Sequence, residues 1–206
     1  GAAFDNNLMC TSEKCMVVED KVSDRFIYEL LKNGVYYVRN ETEIRKLLDA
    51  AVTGDFVINK KLEGRSSNEI LEYAGISCSG TIKLIVAETG RMHPFVTTEL
   101  MMPLVPLVKA ADFDEALEIA LEVEQGYKHT ATIHSESIEH LNRAAKELQT
   151  SVFVKNGPSF MGIGFDKEGH TSFTIATTTG EGTTTARHFR QYIQIIRIGI
   201  LKIDAH

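Results

Sequence analysis

Cys10 is the residue of this sequence best suited to act as a nucleophile. It lies in a polar stretch, residues 6–14, immediately before an apolar segment that is predicted to form a strand. A nucleophilic cysteine needs exposure, hydrogen-bond donors for a developing oxyanion, and positive charge that favours the thiolate. The Cys10 backbone N–H, the neighbouring amides and Lys14 could supply part of that environment. The alternative is that Cys10 is a small buried hydrophobe, as most free cysteines are.

The other two cysteines are weaker candidates for catalysis. Cys15 lies within the apolar run Lys14–Val18 and is predicted to belong to the core, whereas Cys78, in Ser77–Gly80, is a second and weaker nucleophile candidate. Three cysteines without a CxxC pair are too few for a disulfide framework, which favours a reducing cytoplasm. The seven histidines are dispersed, so no metal site is predicted.

A second group of candidate residues surrounds Glu99. This carboxylate lies in an apolar segment, where it is costly to bury unless something binds it. One explanation is a structural salt bridge or a hydrogen bond from the backbone; the other is a carboxylate that binds ligand hydroxyls, such as those of a ribose, at a strand end. His93 precedes Pro94 and is expected in an extended or turn segment. A supporting or surface role for His93 is favoured over proton transfer.

Two glycine-containing segments could bind an anion through their backbone amides. They are Thr177–Thr185, which contains Gly-Glu-Gly, and Met161–Gly164. Neither matches the phosphate-binding patterns GxxxxGK[ST] or GxGxxG, so the evidence for a phosphate site is weak. The alternative for the first segment is a flexible loop before a helix that starts near Thr184.

Composition excludes several classes of protein and partner. The chain has 206 residues, a net charge of −6 and 43% hydrophobic residues, which is typical of a globular protein. The acidic balance, without a dense Lys/Arg cluster, argues against a nucleic-acid partner. No run of eighteen apolar residues occurs, so no membrane span is predicted.

Hydrophobic periodicity predicts strands that alternate with amphipathic helices. The predicted strands are 14–18, 35–38, 56–58, 82–86, 130–134 and 152–154. The predicted helices are 23–31, 41–51 capped by Asn40, 66–74, 112–124 with Asp112 as cap, and 135–148. This alternation is typical of one α/β domain with a three-layer αβα architecture, in which helices cover both faces of an open, mostly parallel sheet.

Three ordered motifs resemble the catalytic domain of the aldehyde dehydrogenase superfamily, and more narrowly its CoA-acylating members from bacterial propanediol and ethanolamine utilisation. Phe4–Lys14 resembles the segment around the nucleophilic cysteine of that family, with Met9 where the family usually has proline. His93–Pro103 and Thr174–Arg187 are similar to its second and third signatures. The resemblance runs in order from Phe4 to about Arg190.

The resemblance implies a chemistry for these residues. Cys10 would attack a short-chain aldehyde to give a thiohemiacetal, NAD would take the hydride, and coenzyme A would release the thioacyl group as acyl-CoA. Glu99 corresponds to the carboxylate that holds the nicotinamide ribose. Met101 and Met102 stand where hydrolytic relatives carry Phe and Gly, so the resemblance gives Met101 a packing role only and His93 no role.

The resemblance also implies a domain organisation. Residues 1–190 correspond to the catalytic domain and residues 191–206 form an atypical Ile-rich tail, while the NAD-binding domain would lie upstream and is absent from this chain. We therefore expect a fragment that is inactive alone as a dehydrogenase. The full-length enzyme would be a homo-oligomer in the cytoplasm or a bacterial microcompartment. The alternative hypotheses are a cysteine-dependent hydrolase, with a histidine next to Cys10, and a non-catalytic domain that oligomerises through its tail.

Overall fold

The computed structural model describes residues 1–54, 57–165, 171–176 and 182–184. Eight strands occur in this part of the chain: β1 Met16–Glu19, β2 Val35–Val38, β3 Leu84–Glu88, β4 Leu104–Ala110, β5 Thr130–Ile133, β6 Val152–Lys155, β7 Ile175–Ala176 and β8 Gly182–Thr183. Six α-helices accompany them: α1 Asp20–Lys32, α2 Glu41–Ala51, α3 Ser67–Tyr73, α4 Pro94–Thr97, α5 Phe113–Glu124 and α6 Ile138–Leu148. Short 3₁₀ helices span Phe4–Asn7 and Ser159–Ile163.

The main sheet has four strands in the order β1-β4-β3-β2, and every neighbouring pair is parallel. β5 and β6 form a separate parallel pair, and β7 and β8 form a short antiparallel one. The expected open and mostly parallel sheet is confirmed. Parallel strands need helical crossovers, which explains why strands and helices alternate along the chain.

Helices cover both faces of the main sheet. Leu84 and Val86 of β3 point to the face that packs against Phe26, Ile27 and Leu30 of α1. The alternate residues of β3 point to the other face, where α2 and α3 contribute the fully buried Leu47, Ile70 and Leu71. The three-layer αβα architecture follows because strand side chains alternate between two faces that both need an apolar cover.

Local sequence signals fix the helix ends where they were predicted. The Asn40 side chain accepts hydrogen bonds from the Thr42 and Glu43 N–H groups at the start of α2. Ser66 and Glu69 form a capping box at the start of α3, and Asp112 accepts from the Glu115 N–H at the start of α5. These side chains satisfy amide groups that a helix start leaves without a partner.

Several predicted elements differ in the structure; the helix predicted at 23–31, for example, begins three residues earlier, at Asp20. Of the predicted strand 56–58, Phe56 lies outside the described residues, Val57 is not in a strand, and Ile58 forms only an isolated antiparallel bridge with Val52. The predicted helix 135–148 begins at Ile138, because Ser137 caps it by accepting from the His140 N–H. The helix expected from about Thr184 and the tail at 191–206 lie outside the described residues, apart from Thr184 itself.

The central strand β4 was not predicted from the sequence. It lies between β1 and β3, although prolines normally argue against a central strand and Pro106 lies within it. Pro106 is tolerated because the pairing of β1 with β4 begins only at Leu107, one residue later. On the other side of β4, alternate residues form the hydrogen bonds to the β3 side; the Leu107 carbonyl, for example, accepts the Thr89 N–H. The missing N–H of Pro106 therefore removes no hydrogen bond between the paired residues of neighbouring strands.

Candidate active site

Cys10 is exposed in the turn that joins the first 3₁₀ helix to β1. The Ser12 N–H donates to the Met9 carbonyl and closes this turn around the cysteine. Within the described part of the chain, the Cys10 N–H has no acceptor among backbone or side-chain groups. The exposure expected of a nucleophile is confirmed, and a free backbone donor lies beside the thiol.

The loop before Cys10 is shaped by three consecutive left-handed residues. Asp5, Asn6 and Asn7 have φ values of 50°, 49° and 62°. Asp and Asn tolerate this region better than other non-glycine residues, so the Asp-Asn-Asn sequence suits the loop. Asn7 is 1% exposed, and its Nδ2 donates to the carbonyls of Ala2 (2.8 Å) and Glu13 (3.0 Å). Asn7 thus ties both sides of the Cys10 turn together.

Lys14 is the charged residue at the centre of the site. Its Nζ donates to the Asn7 carbonyl at 2.6 Å and to Asn7 Oδ1 at 2.9 Å, and it lies 3.7 Å from Glu99 Oε1. Burial lowers the pKa of Lys14, and this effect is opposed first by the Glu99 carboxylate and then by negative charge at Cys10. Lys14 therefore connects Glu99 to Asn7 of the loop that carries Cys10.

Glu99 lies in the segment that leads into β4, on the same side of the sheet as the start of β1. Its side chain is 57% exposed, so water relieves much of the cost of a carboxylate in an apolar segment. The salt bridge that the sequence offered as one explanation is present, formed with Lys14. The exposed carboxylate also keeps acceptor capacity for ligand hydroxyls.

A backbone link holds the Glu99 segment against the Cys10 loop. Asn6 Nδ2 donates to the Gly64 carbonyl at 2.9 Å, and the Gly64 N–H donates to the Met101 carbonyl at 2.9 Å. Gly64 has φ +69°, and a Cβ at this position would lie 2.9 Å from Leu8 Cδ1. Glycine is favoured here by the left-handed backbone conformation, and a larger residue would also require the Leu8 side chain to shift.

Met101 does more than pack. It has a left-handed backbone, with φ 52°, and its Sδ lies 3.8 Å from Lys14 Nζ. Left-handed conformations in ordinary side-chain-bearing residues are uncommon and need support from their surroundings. The expected packing role for Met101 is thus extended by a direct contact with the central lysine.

The second 3₁₀ helix anchors the other side of the Cys10 loop. The Ser159 N–H donates to Glu13 Oε1 at 2.8 Å. The Phe4 ring contacts those of Phe160 and Phe165, with centroids 5.5 Å and 6.0 Å away. Residues far apart in sequence therefore fix the segment that carries the candidate nucleophile.

The other cysteines lie in different surroundings. Cys15 packs against the cluster of Val108, Ala110 and Ile119, and burial raises the pKa of its thiol to about 12. The predicted core role of Cys15 is confirmed. Cys78 packs against the core under α2 and α3 and accepts a contact from Asn68 Nδ2 at 3.5 Å. Neither thiol joins the group around Lys14.

His93 has a structural role at the start of α4. Its Nδ1 accepts a hydrogen bond from the Phe95 N–H at 3.2 Å, and its ring meets the Phe95 ring edge-on. Burial lowers the pKa of His93, which favours the neutral imidazole that this bond requires. The extended backbone expected before Pro94 is confirmed, with ψ 143°. Among the described histidines, none is hydrogen-bonded to Cys10.

In their described residues, the two glycine-containing segments form no anion-binding site. Gly162 lies against β6, where a Cβ would come 2.3 Å from Val152 Cγ1, so its glycine is explained by packing. Gly164, with φ 94°, ends the second 3₁₀ helix. Of the predicted loop 177–185, the residues 177–181 and 185 lie outside the described part of the chain.

A separate cleft lies at the carboxyl ends of the strands of the main sheet, opposite the end that carries Cys10. It has a volume of about 550 Å³ and is lined by residues at the carboxyl ends of the strands, including Glu88, Arg91 and Lys109. Its charges are largely paired: Lys109 lies 3.4 Å from Glu88, and Arg91 lies 3.2 Å from Glu118. The cleft is therefore distinct from the Cys10 group, which lies at the amino ends of β1 and β4.

The described residues contain neither a metal-binding cluster nor a membrane-spanning helix. No group of three or more His, Cys, Asp or Glu residues there could hold a metal ion. Over the same residues, no helix has both the length and the hydropathy needed to cross a bilayer.

The residues that connect the Cys10 loop to Glu99 were not predicted from the sequence. Lys14 was noted only as a nearby positive charge, and the roles of Asn7 and Gly64 were not predicted. The Asp-Asn-Asn run was the available signal for a left-handed loop. The pairing of Lys14 with Glu99 had no local signal, because the two residues are 85 positions apart and meet only when β1 and β4 become neighbours.

Comparison with known proteins shows what this arrangement is similar to. No protein-family model matches the chain. A curated CoA-propanoylating propanal dehydrogenase from Citrobacter freundii is 47% identical over 190 residues, which is 92% of this chain and 41% of that protein. The chain thus spans about two fifths of the length of this relative.

Solved structures give the same result. A propionaldehyde dehydrogenase from Rhodopseudomonas palustris, with bound CoA and an acylated cysteine, matches with a TM-score of 0.88 and 42% identity over 92% of this chain and 43% of that one. A propionaldehyde dehydrogenase from a Clostridium phytofermentans fucose utilisation microcompartment matches at 0.87 and 37%, with the same coverages. An engineered glycolyl-CoA reductase with bound NADP⁺ matches at 0.88 and 43%, again with those coverages.

The fold and these similarities give the class of protein that the chain resembles: it is a homologue of about two fifths of the length of an aldehyde dehydrogenase. Among these relatives, a CoA-propanoylating propanal dehydrogenase and propionaldehyde dehydrogenases match the chain over 92% of its length. The resemblance seen in the three sequence motifs is confirmed.

Proposed function

We propose that this chain is the catalytic portion of a CoA-acylating aldehyde dehydrogenase, which oxidises a short-chain aldehyde to acyl-CoA with Cys10 as nucleophile. The observation that carries the proposal is the exposed Cys10 in a turn that follows Asn7, whose hydrogen bonds with Lys14 connect this loop to Glu99. The similarity to CoA-acylating propanal and propionaldehyde dehydrogenases supports the same chemistry.

Cys10 begins the reaction. Its thiolate attacks the aldehyde carbonyl carbon, a C–S bond forms, and the carbonyl oxygen becomes the oxyanion of a thiohemiacetal. The Cys10 N–H has no acceptor among the described residues, so it is free to donate to this oxyanion. The exposed position of Cys10 leaves room for the substrate.

Glu99 fits the binding of a nicotinamide cofactor, for which we propose NAD. The cofactor's chemistry when bound is to accept a hydride from the thiohemiacetal carbon. The Glu99 carboxylate is 57% exposed and offers acceptor oxygens suited to the two hydroxyls of a ribose. The NADP⁺ bound to the engineered reductase supports a nicotinamide cofactor of either kind.

Release of the product regenerates Cys10. The sulfur of coenzyme A attacks the thioacyl carbonyl, the bond to Cys10 breaks, and the acyl group leaves as acyl-CoA while the CoA thiol gives up its proton. Cys10 is the leaving group in this step, and the proton lost by the CoA thiol balances the charge of the released Cys10 thiolate, which restores the free cysteine. The acylated cysteine of the Rhodopseudomonas palustris enzyme supports a covalent intermediate of this kind.

The proposal assigns residues 1–190 to the catalytic domain and residues 191–206 to an atypical tail. It also assigns NAD binding in large part to a dinucleotide-binding domain outside this chain. The chain itself matches 41% of the length of the Citrobacter freundii relative. On this basis we expect acyl transfer by Cys10 but no hydride transfer by the chain alone. A homo-oligomeric full-length enzyme in the cytoplasm or a microcompartment belongs to the same proposal, and the fucose-pathway relative supports the second location.

Acyl transfer to the full chain tests the proposed function. The chain is incubated with propionyl-CoA, and S-propionyl groups are located by peptide mass spectrometry. We expect acylation at Cys10, none at position 10 in Cys10→Ser, and unchanged acylation of Cys10 in Cys15→Ser and Cys78→Ser. Equal acylation of all three thiols, or none at Cys10, would contradict the proposal.

A further inference from the structure

We propose that Asn7 is a positioning residue for Cys10: its side-chain amide closes the loop that carries the cysteine and so holds the Cys10 N–H where it donates to the oxyanion. The inference rests on the proposed function, because it concerns the same nucleophile and the same oxyanion donor. It adds a residue that does not itself reach the substrate, since Asn7 is only 1% exposed.

The loop that carries Cys10 is closed at its two ends by hydrogen bonds. Asn7 Nδ2 donates to the Glu13 carbonyl at 3.0 Å, and Lys14 Nζ donates to the Asn7 carbonyl at 2.6 Å. Asn7 lies three residues before Cys10, and Glu13 and Lys14 lie three and four residues after it. The hydrogen bonds of Asn7 therefore join the two sides of the loop, with Cys10 between them.

Inside this closed loop, a smaller turn contains Cys10. The Ser12 N–H donates to the Met9 carbonyl at 3.0 Å, and the Cys10 N–H has no acceptor among the described backbone and side-chain groups. An oxyanion donor is effective when its N–H is already aimed at the place where the charge develops. Because this donor belongs to the backbone, the contacts that fix the loop also fix the direction of the N–H.

The Asn7 side chain is fully engaged in holding the loop. The Nδ2 group also donates to the Ala2 carbonyl at 2.8 Å, and Oδ1 accepts from Lys14 Nζ at 2.9 Å. Both amide N–H bonds and the amide oxygen thus have partners within the fold. Asn7 has φ 62°, a left-handed conformation that Asn adopts more readily than most residues. Its contacts restrict the loop and leave no side-chain donor for the substrate.

Two reactions of Cys10 distinguish a positioned donor from an exposed thiol. In acylation by propionyl-CoA, the Cys10 sulfur bonds to the carbonyl carbon, an oxyanion forms, and the bond to the CoA sulfur then breaks as that sulfur takes up the thiol proton. In alkylation by iodoacetamide, the sulfur bonds to a saturated carbon, iodide and a proton leave, and no oxyanion forms. Displacement of the N–H should therefore slow acylation more than alkylation, whereas a change in exposure should alter both rates alike.

Asn7→Asp tests the proposal in the full chain. Asp keeps the size of the side chain, the tolerance of left-handed backbone and an acceptor oxygen for Lys14, but it lacks the N–H groups that bind the Ala2 and Glu13 carbonyls. Both rates are measured at pH 7 by peptide mass spectrometry, and their ratio is compared with wild type because both reactions use the same thiolate. We expect the ratio of acylation to alkylation to fall by about tenfold or more, since a lost oxyanion donor costs about 100- to 1,000-fold in rate.

Two further variants make each outcome decisive. Asn142→Asp makes the same chemical change at an exposed side chain, whose Oδ1 accepts from Lys155 Nζ at 3.1 Å, and should leave the ratio unchanged. Asn7→Gly suits the left-handed φ and buries no charge, so it replaces Asn7→Asp if that variant does not fold, with the same expected fall. An unchanged ratio in the Asn7 variant would overturn the inference, whereas a wild type that is not acylated at Cys10 would overturn the proposed function and the inference with it.

Discussion

At the scale of single residues, the surroundings of the thiols separate them into different chemical roles. Cys15 packs against Val108 and Ile119, and burial raises its pKa from 9.0 to about 12. Cys10 lies exposed in the turn before β1. These surroundings separate a core thiol at Cys15 from an accessible thiol at Cys10, as the sequence predicted.

The buried Cys15 thiol predicts a loss of stability at high pH. A group whose pKa is raised on folding contributes stability below its unfolded value, and this stability is lost as the pH rises toward the folded value. The pH range over which this stability is lost is therefore about pH 9 to about pH 12. Within it, each pH unit should lower the free energy of unfolding by about 1.4 kcal/mol through this group.

Urea unfolding of wild type and Cys15→Ala at pH 7, 9 and 10 measures this effect. We expect the variant to lose less stability than wild type between pH 9 and pH 10. Val17→Ala, a truncation in the same cluster without a titrating group, should lower stability by the same amount at each pH. Parallel pH dependence in wild type and Cys15→Ala would refute the prediction.

At the scale of elements, the helices were predicted best because their signals are local. Asn40 and Asp112 were identified as caps from sequence, and both side chains accept N–H groups in the first turn of their helices. Strand β4 was missed, since its Pro106 contradicts the usual pattern of a central strand. The position of that proline before the first β1 pair is a property of the register, and no local pattern contains it.

The Asn40 cap predicts a measurable contribution to stability. Asn40→Ala leaves the Thr42 and Glu43 N–H groups without their side-chain acceptor and should lower the free energy of unfolding by about 1 kcal/mol. Asn40→Asp retains an acceptor oxygen and should stay within about 0.5 kcal/mol of wild type. Urea midpoints at pH 7 compare the three proteins, and equal midpoints for the alanine variant and wild type would count against the cap.

At the scale of the whole molecule, the segment that carries Cys10 is held by a distant part of the chain. Phe160 and Phe165 contact Phe4, and the Ser159 N–H binds Glu13. This contact spans most of the described chain and joins the start of the sequence to the end of β6. The order of the Cys10 loop should therefore depend on aromatic residues that take no part in the chemistry.

Phe160→Ala tests this dependence. Removing the ring deletes its contacts with Phe4 and Phe165, which should allow the loop to open more often. Amide hydrogen exchange in residues 4–12 should become about tenfold faster, corresponding to aromatic contacts of about 1.4 kcal/mol. Phe173→Ala, at a side chain that is 68% exposed, should leave this exchange unchanged. Unaltered exchange in both variants would show that the loop is held by other contacts.

The sequence by itself determined the alternation of strands and helices, the helix caps Asn40 and Asp112, and Cys10 and Glu99 as candidate site residues. These follow from hydrophobic periodicity, local hydrogen bonding and motif resemblance, which are all properties of neighbouring residues. Only the tertiary structure decided that Glu99 pairs with Lys14 and that Gly64 links the Cys10 loop to the segment of Met101. The reason is physical: these contacts form only when the strand order β1-β4-β3-β2 brings distant segments together at the amino ends of β1 and β4.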